Sequence, residues 1–386
     1  MASWDLLLIY TSIILVGYAY WWQSFLRPYH HWKSQPVHPM NKTPNAGLSI
    51  LIPFRNEAHR IEPLLKSLQH IQFPPSAELL FCDDHSTDST TAIIEQYRAH
   101  FTVESRILAL PTNQNGKKSA LQLGINQSKY PVIFTTDADC TLHPACILTL
   151  LAKMESEQAH LVLGSVEYLW SDSTPEKSSR NSPLQVYQCV ENAVLSAIGW
   201  VESQKHNAAV ANGANMMFNK ASFNELGGYQ GHEHIGSGDD VLTLEKFLLS
   251  PNHKVVHASH SNAVVYTAYE TEFRSFFNQR MRWMKKTFLQ KTQKTAQKQT
   301  LVGLFMISVW VITGVSVYRG TYETLAFVWL GKLLVDSAGV HILCKKELPN
   351  PFVVALVSAL QVLWLPLLAV AAATIPYRWK ARPYRA

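Results

Sequence analysis

Charged side chains are missing from long stretches at both ends of this chain, and no other feature limits its fold as strongly. Of 386 residues only 16% are charged, against a usual quarter, while 47% are hydrophobic. Leu6–Leu26 carries no charge, with Trp4 before it and Tyr20, Trp21 and Trp22 near its far end. That is the length of a membrane-spanning helix with aromatic residues at both interfaces. Asp5 precedes the run, no Lys or Arg does, and no small-residue cleavage site follows, so a retained anchor is expected and not a cleaved signal peptide. Three further apolar runs close the chain: Thr300–Tyr318, Thr324–Cys344 and Pro351–Ile375. The second contains Lys332 and Asp336, spaced i,i+4 so that they can pair and reduce the cost of burial. The third holds Pro366, an expected kink. Arg27 and Lys33 follow the first run and place the middle of the chain in the cytoplasm by the positive-inside rule. Four complete spans would put the basic tail, 377–386, on the opposite side. One C-terminal run is therefore expected to be interfacial or re-entrant, and the number of crossings stays open.

The formal net charge is +6. Between Phe273 and Tyr322 there is no Asp or Glu, yet Arg274, Arg280, Arg282, Lys285, Lys286, Lys291, Lys294 and Lys298 fall there. Because this stretch leads into the apolar run from Leu301, phosphate headgroups of a membrane are the expected partner and nucleic acid is not. Cys82, Cys140, Cys146, Cys189 and Cys344 are odd in number and scattered, which fits a reducing compartment without disulfides. Cys82 and Cys140 are best read as small residues closing buried strands.

The middle of the chain alternates short apolar runs with helical patterns. Gly47–Phe54 reads as a strand, followed by a helix through Leu64, Leu65 and Leu68. Glu78–Cys82 is a second strand, Gly116–Gln127 a helix and Val132–Thr136 another strand. This alternation predicts an α/β domain with a mainly parallel sheet, which binds ligands at the C-terminal ends of its strands. The expected divisions are 1–44 (span and Pro-rich linker), 45–272 (α/β domain), 273–299 (amphipathic interfacial helix) and 300–386 (apolar helices and basic tail).

Acidic motifs fall at the expected strand ends. Asp137-Ala-Asp139 follows Val132–Thr136, and in extended backbone two such carboxylates face the same way. Hard oxygen donors of this kind suit Mg²⁺ or Mn²⁺ shared with phosphate oxygens, although a lone D-x-D is often only a solvated turn. Asp83-Asp84-His-Ser-Thr-Asp88 follows the second strand; helix capping by Ser86 or Asp88 accounts for part of it but not for the adjacent pair. Asp239-Asp240 stands before the helix pattern Val241–Leu249, where the helix dipole alone favours acids. The preceding Gly231–Gly238 holds His232 and His234, read as part of a gating loop because no third ligand has zinc-like spacing. Gln279, Arg282 and Trp283 lie within one turn of an amphipathic helix whose apolar side is Phe273, Phe276, Phe277, Met284 and Phe288. An interfacial basic helix explains its lysines but not its Gln and Trp.

Taken in order, these motifs resemble the family 2 glycosyltransferases with the GT-A fold, over roughly Ser49–Trp283. The membrane-bound branch that makes cellulose, hyaluronan, poly-N-acetylglucosamine and glycolipids is the nearest in appearance. The resemblance implies a Rossmann-like domain that transfers a sugar from a nucleotide-diphosphate sugar, usually a UDP-sugar, to a lipid or glycan acceptor with inversion. It implies that Ile52-Pro53-x-x-Asn56-Glu57 forms the donor loop, with Glu57 beside the substrate. Asp83 and Asp84 would hold the nucleotide, and Lys117 would stand near the donor. Asp137 and Asp139 would bind Mg²⁺ or Mn²⁺, and Asp240, with Asp239 beside it, would be the general base. Asn212-Gly213-Ala214-Asn215 would form an acceptor-side loop, and Gln279, Arg282 and Trp283 match Q-x-x-R-W, which packs on the nucleotide and acceptor end. The base motif departs from the family, reading Gly238-Asp239-Asp240 in place of Thr-Glu-Asp. The helices after the catalytic segment are fewer than in polymer exporters, which leaves single transfer and a synthase with a partner membrane subunit both open. A nucleotidyltransferase would share the strand-end acids but has no use for Gln279–Trp283 or the spans. The alternative from another class is a catalytically silent subunit of a synthase or export complex.

Overall fold

The computed structural model describes residues 2–33, 44–168, 182–204, 210–231, 238–258, 260–289, 293–343, 350–375, 377–379 and 382–384. His232, His234, Cys344, nearly all of the Pro-rich linker and much of the basic tail lie outside the described residues. In chain order the elements are α1 (Ala2–Lys33), β1 (Leu48–Phe54), α2 (Glu62–Leu68), β2 (Ala77–Asp83), α3 (Thr90–Arg98), β3 (Glu104–Ala109), α4 (Lys117–Gln127), β4 (Val132–Thr135), β5 (Cys140–Leu142), α5 (Cys146–Ser156) and β6 (Leu161–Tyr168). There follow α6 (Pro183–Gln204), β7 (Met216–Asn219), α7 (Lys220–Glu225), α8 (Val241–Leu249), β8 (Val255–Ala258), β9 (Val264–Thr267), α9 (Phe273–Leu289), α10 (Gln293–Arg319), α11 (Tyr322–Leu343), α12 (Pro351–Thr374) and a β10–β11 pair (Tyr377–Trp379, Arg382–Tyr384). Contacts divide the chain into two compact units. A helical unit comprises Met1–Gln35, Trp170–Val201 and Tyr269–Tyr377, and a sheet unit comprises Pro36–Leu169, Glu202–Ala268 and Arg378–Ala386.

The sheet unit is a nine-stranded mixed sheet in the order β3-β2-β1-β4-β7-β6-β9-β5, with β8 also on β6. Strands β3, β2, β1 and β4 run parallel, as the strand–helix alternation predicts. All of β1 is buried, as in a strand covered on both faces. Its side chains alternate between two cores: Leu48, Ile50, Ile52 and Phe54 join Leu79, Phe81 and Phe134 on one face, while Leu51 joins Leu80, Ile125 and Phe218 on the other. Antiparallel β7 then breaks the parallel run. Strand β6 changes partner along its length, pairing with β8 over 161–164 and β9 over 165–168. Asn215 secures this switch by donating to Ser165 O (2.7 Å) and Ala263 O (2.9 Å), in space kept free by Gly164. Asn215 therefore acts as a strut of the sheet. Cys82 and Cys140 are buried in their strands, and burial pushes the Cys82 thiol up to about 12, an inert structural cysteine.

In the helical unit, four helices are long and apolar enough to cross a membrane: Leu6–Tyr29, Leu301–Arg319, Tyr322–Leu343 and Pro351–Thr374. Lys332 and Asp336 are both buried and pair at 2.5 Å, as their spacing predicts. Every hydrogen-bonding direction of the pair is used. Lys332 Nζ also donates to Ser358 O and Oγ, each at 2.9 Å, and Asp336 accepts from Ser358 Oγ, from Tyr18 Oη (2.7 Å) and from Trp22 Nε1 (3.2 Å). One ion pair thus joins α1, α11 and α12. Close approach of α1 to α11 needs glycine: a Cβ on Gly331 would stand 2.6 Å from Leu15 and one on Gly339 2.4 Å from the Trp22 ring.

Removing one member of this pair leaves the other charged, buried and unpaired. Asp336→Ala is expected to destabilise the helical unit by about 3–5 kcal/mol, whereas Lys332→Met combined with Asp336→Met recovers most of that loss. Thermal unfolding in detergent checks both.

Candidate active site

The parallel strands deliver their C-terminal ends to one edge of the sheet, and the acidic motifs follow from that edge. Asp84 comes just after β2, buried, and accepts the N–H of Gly116 (3.0 Å) with Arg55 Nη1 at 3.9 Å. Burial pushes its carboxyl above the usual range, while the Gly116 N–H and the Arg55 charge pull the other way. Gly116 presents that N–H from φ +94°, a backbone that favours glycine, and stands immediately before α4. The adjacent pair thus divides its roles. Asp83 accepts the N–H of Ser86 (2.9 Å) and shapes the loop. Asp88 bonds Thr90 N (3.0 Å) and Ala58 N (3.1 Å), the capping role open to it from sequence.

The loops after β1 and β2 clamp each other. Asn56, at φ +52°, donates its N–H to Ser86 Oγ (3.1 Å) and accepts from Thr87 N (2.8 Å). Glu57 is buried, its N–H on Thr90 Oγ1 (2.8 Å) and its carboxylate on Arg60. Arg60 then reaches Asp139 at 3.3 Å.

Asp137 and Asp139 do not lie on extended backbone, contrary to the sequence expectation. The chain turns after β4, with Cys140 N donating to Asp137 O (3.2 Å), because β5 must leave in another direction to pair with β9. The two carboxylates therefore meet different cations: Asp139 meets Arg60, and Asp137 meets Lys117 at 2.7 Å. Both stay open to solvent, at 34% and 31% side-chain exposure, whereas Asp239 is 5% exposed. The pair is thus accessible to a ligand while the acid behind it is not.

Lys117, the first residue of α4, connects the groups. Its Nζ lies 2.7 Å from Asp137 Oδ1 and 2.9 Å from Asp239 Oδ2. Burial opposes its charge, but Asp137, Asp239 and Asp240 together outweigh that and hold the ammonium well above the ordinary lysine value. Asp240 caps α8, accepting Val241 N (2.7 Å) and Gly213 N (3.3 Å). Gly213 also gives its carbonyl to Thr135 Oγ1 (2.7 Å), and a Cβ there would stand 2.8 Å from Asp239 Oδ2. So Gly213 brings the end of β4 against the start of α8. Burial and the Asp239 charge push the Tyr229 phenol well up, which keeps it protonated.

The structure thus gathers Asp137, Asp239, Asp240 and Lys117, and joins Glu57 to Asp139 through Arg60. Arg55 and Arg60 were missed in sequence, where only the i,i+3 spacing of Glu57 and Arg60 hinted at a pair. Gln279, Arg282 and Trp283 belong to α9 in the helical unit. There Phe273, Phe276 and Phe277 surround Trp364 of α12 at ring-centroid distances of 5.7, 5.7 and 5.6 Å. The apolar face of α9 is therefore covered by protein at Phe276 and partly at Phe277, while Phe273 stays exposed; the Phe288 side chain lies outside the described residues.

Two open carboxylates suit a hard cation that completes its shell with water and phosphate oxygens. Among the described residues no cluster of three or more His, Cys, Asp or Glu could by itself hold a metal. Lys117→Met would leave Asp137 and Asp239 facing each other without a counter-ion and is expected to cost about 2 kcal/mol near pH 8. Lys117 is held above the ordinary lysine value, so its contribution is fully present below about pH 10 and is lost only as pH rises through the raised value; the deficit of the variant is expected to stay constant between about pH 6 and 9. Chemical denaturation across that range measures it.

The glycosyl transferase family 2 description matches residues 49–227 of this chain. Probable glycosyltransferase YdaM of Bacillus subtilis (strain 168) is 24% identical over 311 residues, 78% of this chain and 69% of that protein. The poly-beta-1,6-N-acetyl-D-glucosamine synthase of Staphylococcus epidermidis is 26% identical over 47% of this chain and 41% of its own length, so the chain spans well under half of that relative. Among solved structures, the mannosyltransferase PcManGT from Pyrobaculum calidifontis, in complex with GDP-Man and Mn2+, superposes with a TM-score of 0.53 at 16% identity. That superposition covers 93% of this chain and 99% of PcManGT, and it places the fold among the GT-A proteins.

Proposed function

Because residues 49–227 form a family 2 glycosyltransferase domain and the chain is a glycosyltransferase, we propose that it moves a sugar from a nucleotide-diphosphate donor to a lipid or glycan acceptor, in one inverting step. UDP-sugars are the first donors to test, and GDP-sugars the second. The observation that carries this reading is the single basic residue, Lys117, set between Asp137 at one strand end and Asp239 at the start of α8. A leaving diphosphate needs positive charge beside it, and an attacking hydroxyl needs a carboxylate base close by to take its proton.

Asp137 and Asp139 would hold Mg²⁺ or Mn²⁺ together with diphosphate oxygens, and such an ion supplies Lewis-acid neutralisation of the leaving group. The chain's own residues do the rest. Asp84, with Asp83 shaping the loop beside it, holds the nucleotide, and Glu57 fixes Arg60 at the donor side. Lys117 adds positive charge where the diphosphate departs. Asp240 takes the proton of the acceptor hydroxyl as that oxygen bonds to the anomeric carbon and the bond to diphosphate breaks on the opposite side. Asp240 is taken as the base from its match to the second acid of the Thr-Glu-Asp motif, with Asp239 beside it facing Lys117 at 2.9 Å. Gln279, Arg282 and Trp283 are assigned to the nucleotide and acceptor end from their match to Q-x-x-R-W. We assign the transfer chemistry to 45–272 on the cytoplasmic side, following the basic residues after the first span, and membrane attachment to 1–44, 273–299 and 300–386.

Nucleotide diphosphate release from the detergent-purified full chain tests this reading. Release is expected to require Mg²⁺ or Mn²⁺, to stop on chelation and to resume when metal is returned. Asp240→Asn is expected to lower turnover by about 10²–10⁴-fold with little change in donor KM, the range for loss of a general base. Release by Asp240→Asn at the wild-type rate would reject Asp240 as the base. Absence of release from any donor, with membrane lipid present, would reject the activity.

A further inference from the structure

Between Gln279 and Arg282 stands Arg280, which the sequence places in the basic stretch expected at membrane headgroups. Arg280 is 2% exposed. Its Nε and Nη2 donate to Glu191 Oε2 of α6 at 2.8 and 2.5 Å, and Tyr187 donates to the other oxygen of Glu191 at 3.3 Å. The guanidinium carbon stands 4.4 Å from the centroid of the Phe276 ring and 4.5 Å from that of Trp283. These residues are i−4 and i+3 from Arg280, so one helical face stacks the cation between two rings. The remaining arm, Nη1, donates to Gln279 Oε1.

Gln279 is held from its other end as well. Its Nε2 donates to Glu270 Oε1 (3.3 Å), and the Glu270 backbone is itself fixed by Gln188 of α6, which accepts from Glu270 N and donates to Glu270 O, each at 2.9 Å. Both ends of the Gln279 amide and one face of Trp283 thus depend on groups anchored to α6.

We propose that Arg280 is a positioning residue that orients Gln279 and Trp283 for the nucleotide, with Glu191 as its anchor. This rests on the assignment of Gln279 and Trp283 to the nucleotide made above. Stability alone does not call for this residue, since a buried ion pair is commonly matched by apolar side chains of similar volume, and a lysine would satisfy Glu191. What only arginine supplies is the combination: a flat face for two rings and a fork whose separate arms reach Glu191 and Gln279 at once.

The test uses the full chain in detergent with three readouts: thermal midpoint, equilibrium binding of UDP (then GDP) by calorimetry, and KM and kcat for diphosphate release. Arg280→Lys keeps the charge beside Glu191 but loses the fork and the flat stack. It is expected to weaken nucleotide binding and raise donor KM about tenfold, the loss of one charge-assisted hydrogen bond, with a smaller change in kcat. Arg280→Glu combined with Glu191→Arg rebuilds the ion pair in reverse. It is expected to regain the thermal midpoint lost by either single variant without regaining nucleotide affinity. Wild-type affinity in Arg280→Lys, or recovery of affinity along with stability in the reversed pair, would show a purely structural role and overturn the proposal. Gln279→Ala and Trp283→Ala serve as comparators. If both bind nucleotide like an active wild type, the assignment of α9 to the nucleotide falls and the proposal falls with it, leaving the transferase reading intact.

Discussion

Carboxylates that must lie close together need a cation among them, and in the sheet unit that cation is Lys117. Two like charges a few ångströms apart repel by several kcal/mol where water is partly excluded. Asp137 arrives from the end of β4 and Asp239 from the turn before α8, about a hundred residues apart in the chain. One ammonium at the start of α4 accepts both. The rest of the edge is arranged around this contact. Gly213 lets the segment before β7 pass close to Asp239, its carbonyl anchors Thr135, and its N–H meets Asp240. Gly116, immediately before Lys117, gives its own N–H to Asp84. Three loops therefore hold their positions because one helix start supplies both a cation and an N–H.

The helical unit meets the same problem with less water to help. Lys332 and Asp336 satisfy each other within two turns of α11, and the remaining donors and acceptors come from α1 and α12. The interaction adds specificity more than strength. Apolar helices can slide past one another in lipid, whereas a carboxylate needing Tyr18, Trp22, Lys332 and Ser358 together allows a single register. Arg280 and Glu191 do the same for α9 and α6. These buried pairs each mark a place where two or three elements must meet in one way.

Much of this was legible beforehand for definite reasons. Strands β1, β2 and β4 announced themselves as apolar runs ended by polar loops, since strands covered on both faces have no polar side to show. The helices long and apolar enough to cross a membrane announced themselves by the absence of charge, and the Lys332–Asp336 pair by helical spacing. The capping role of Asp88 followed from its place ahead of α3. The extended-backbone expectation for Asp137 and Asp139 did not hold, because whether the chain turns after β4 depends on where β5 finds its partner, β9, more than a hundred residues later. Arg55 and Glu191 carried no usable signal, since a surface charge and a buried one look alike in sequence, and Arg60 carried only its i,i+3 spacing from Glu57.

The sequence by itself determined the parts with a local physical cause: which segments are apolar enough for lipid or for a doubly covered strand, and which acids stand at strand ends. Only the tertiary structure decided which charges meet. The partners of Asp139, Asp137, Asp239 and Glu191 are set by strand order, by a turn after β4 and by helix packing. Coulombic attraction and hydrogen bonding act over a few ångströms of space and are indifferent to separation along the chain.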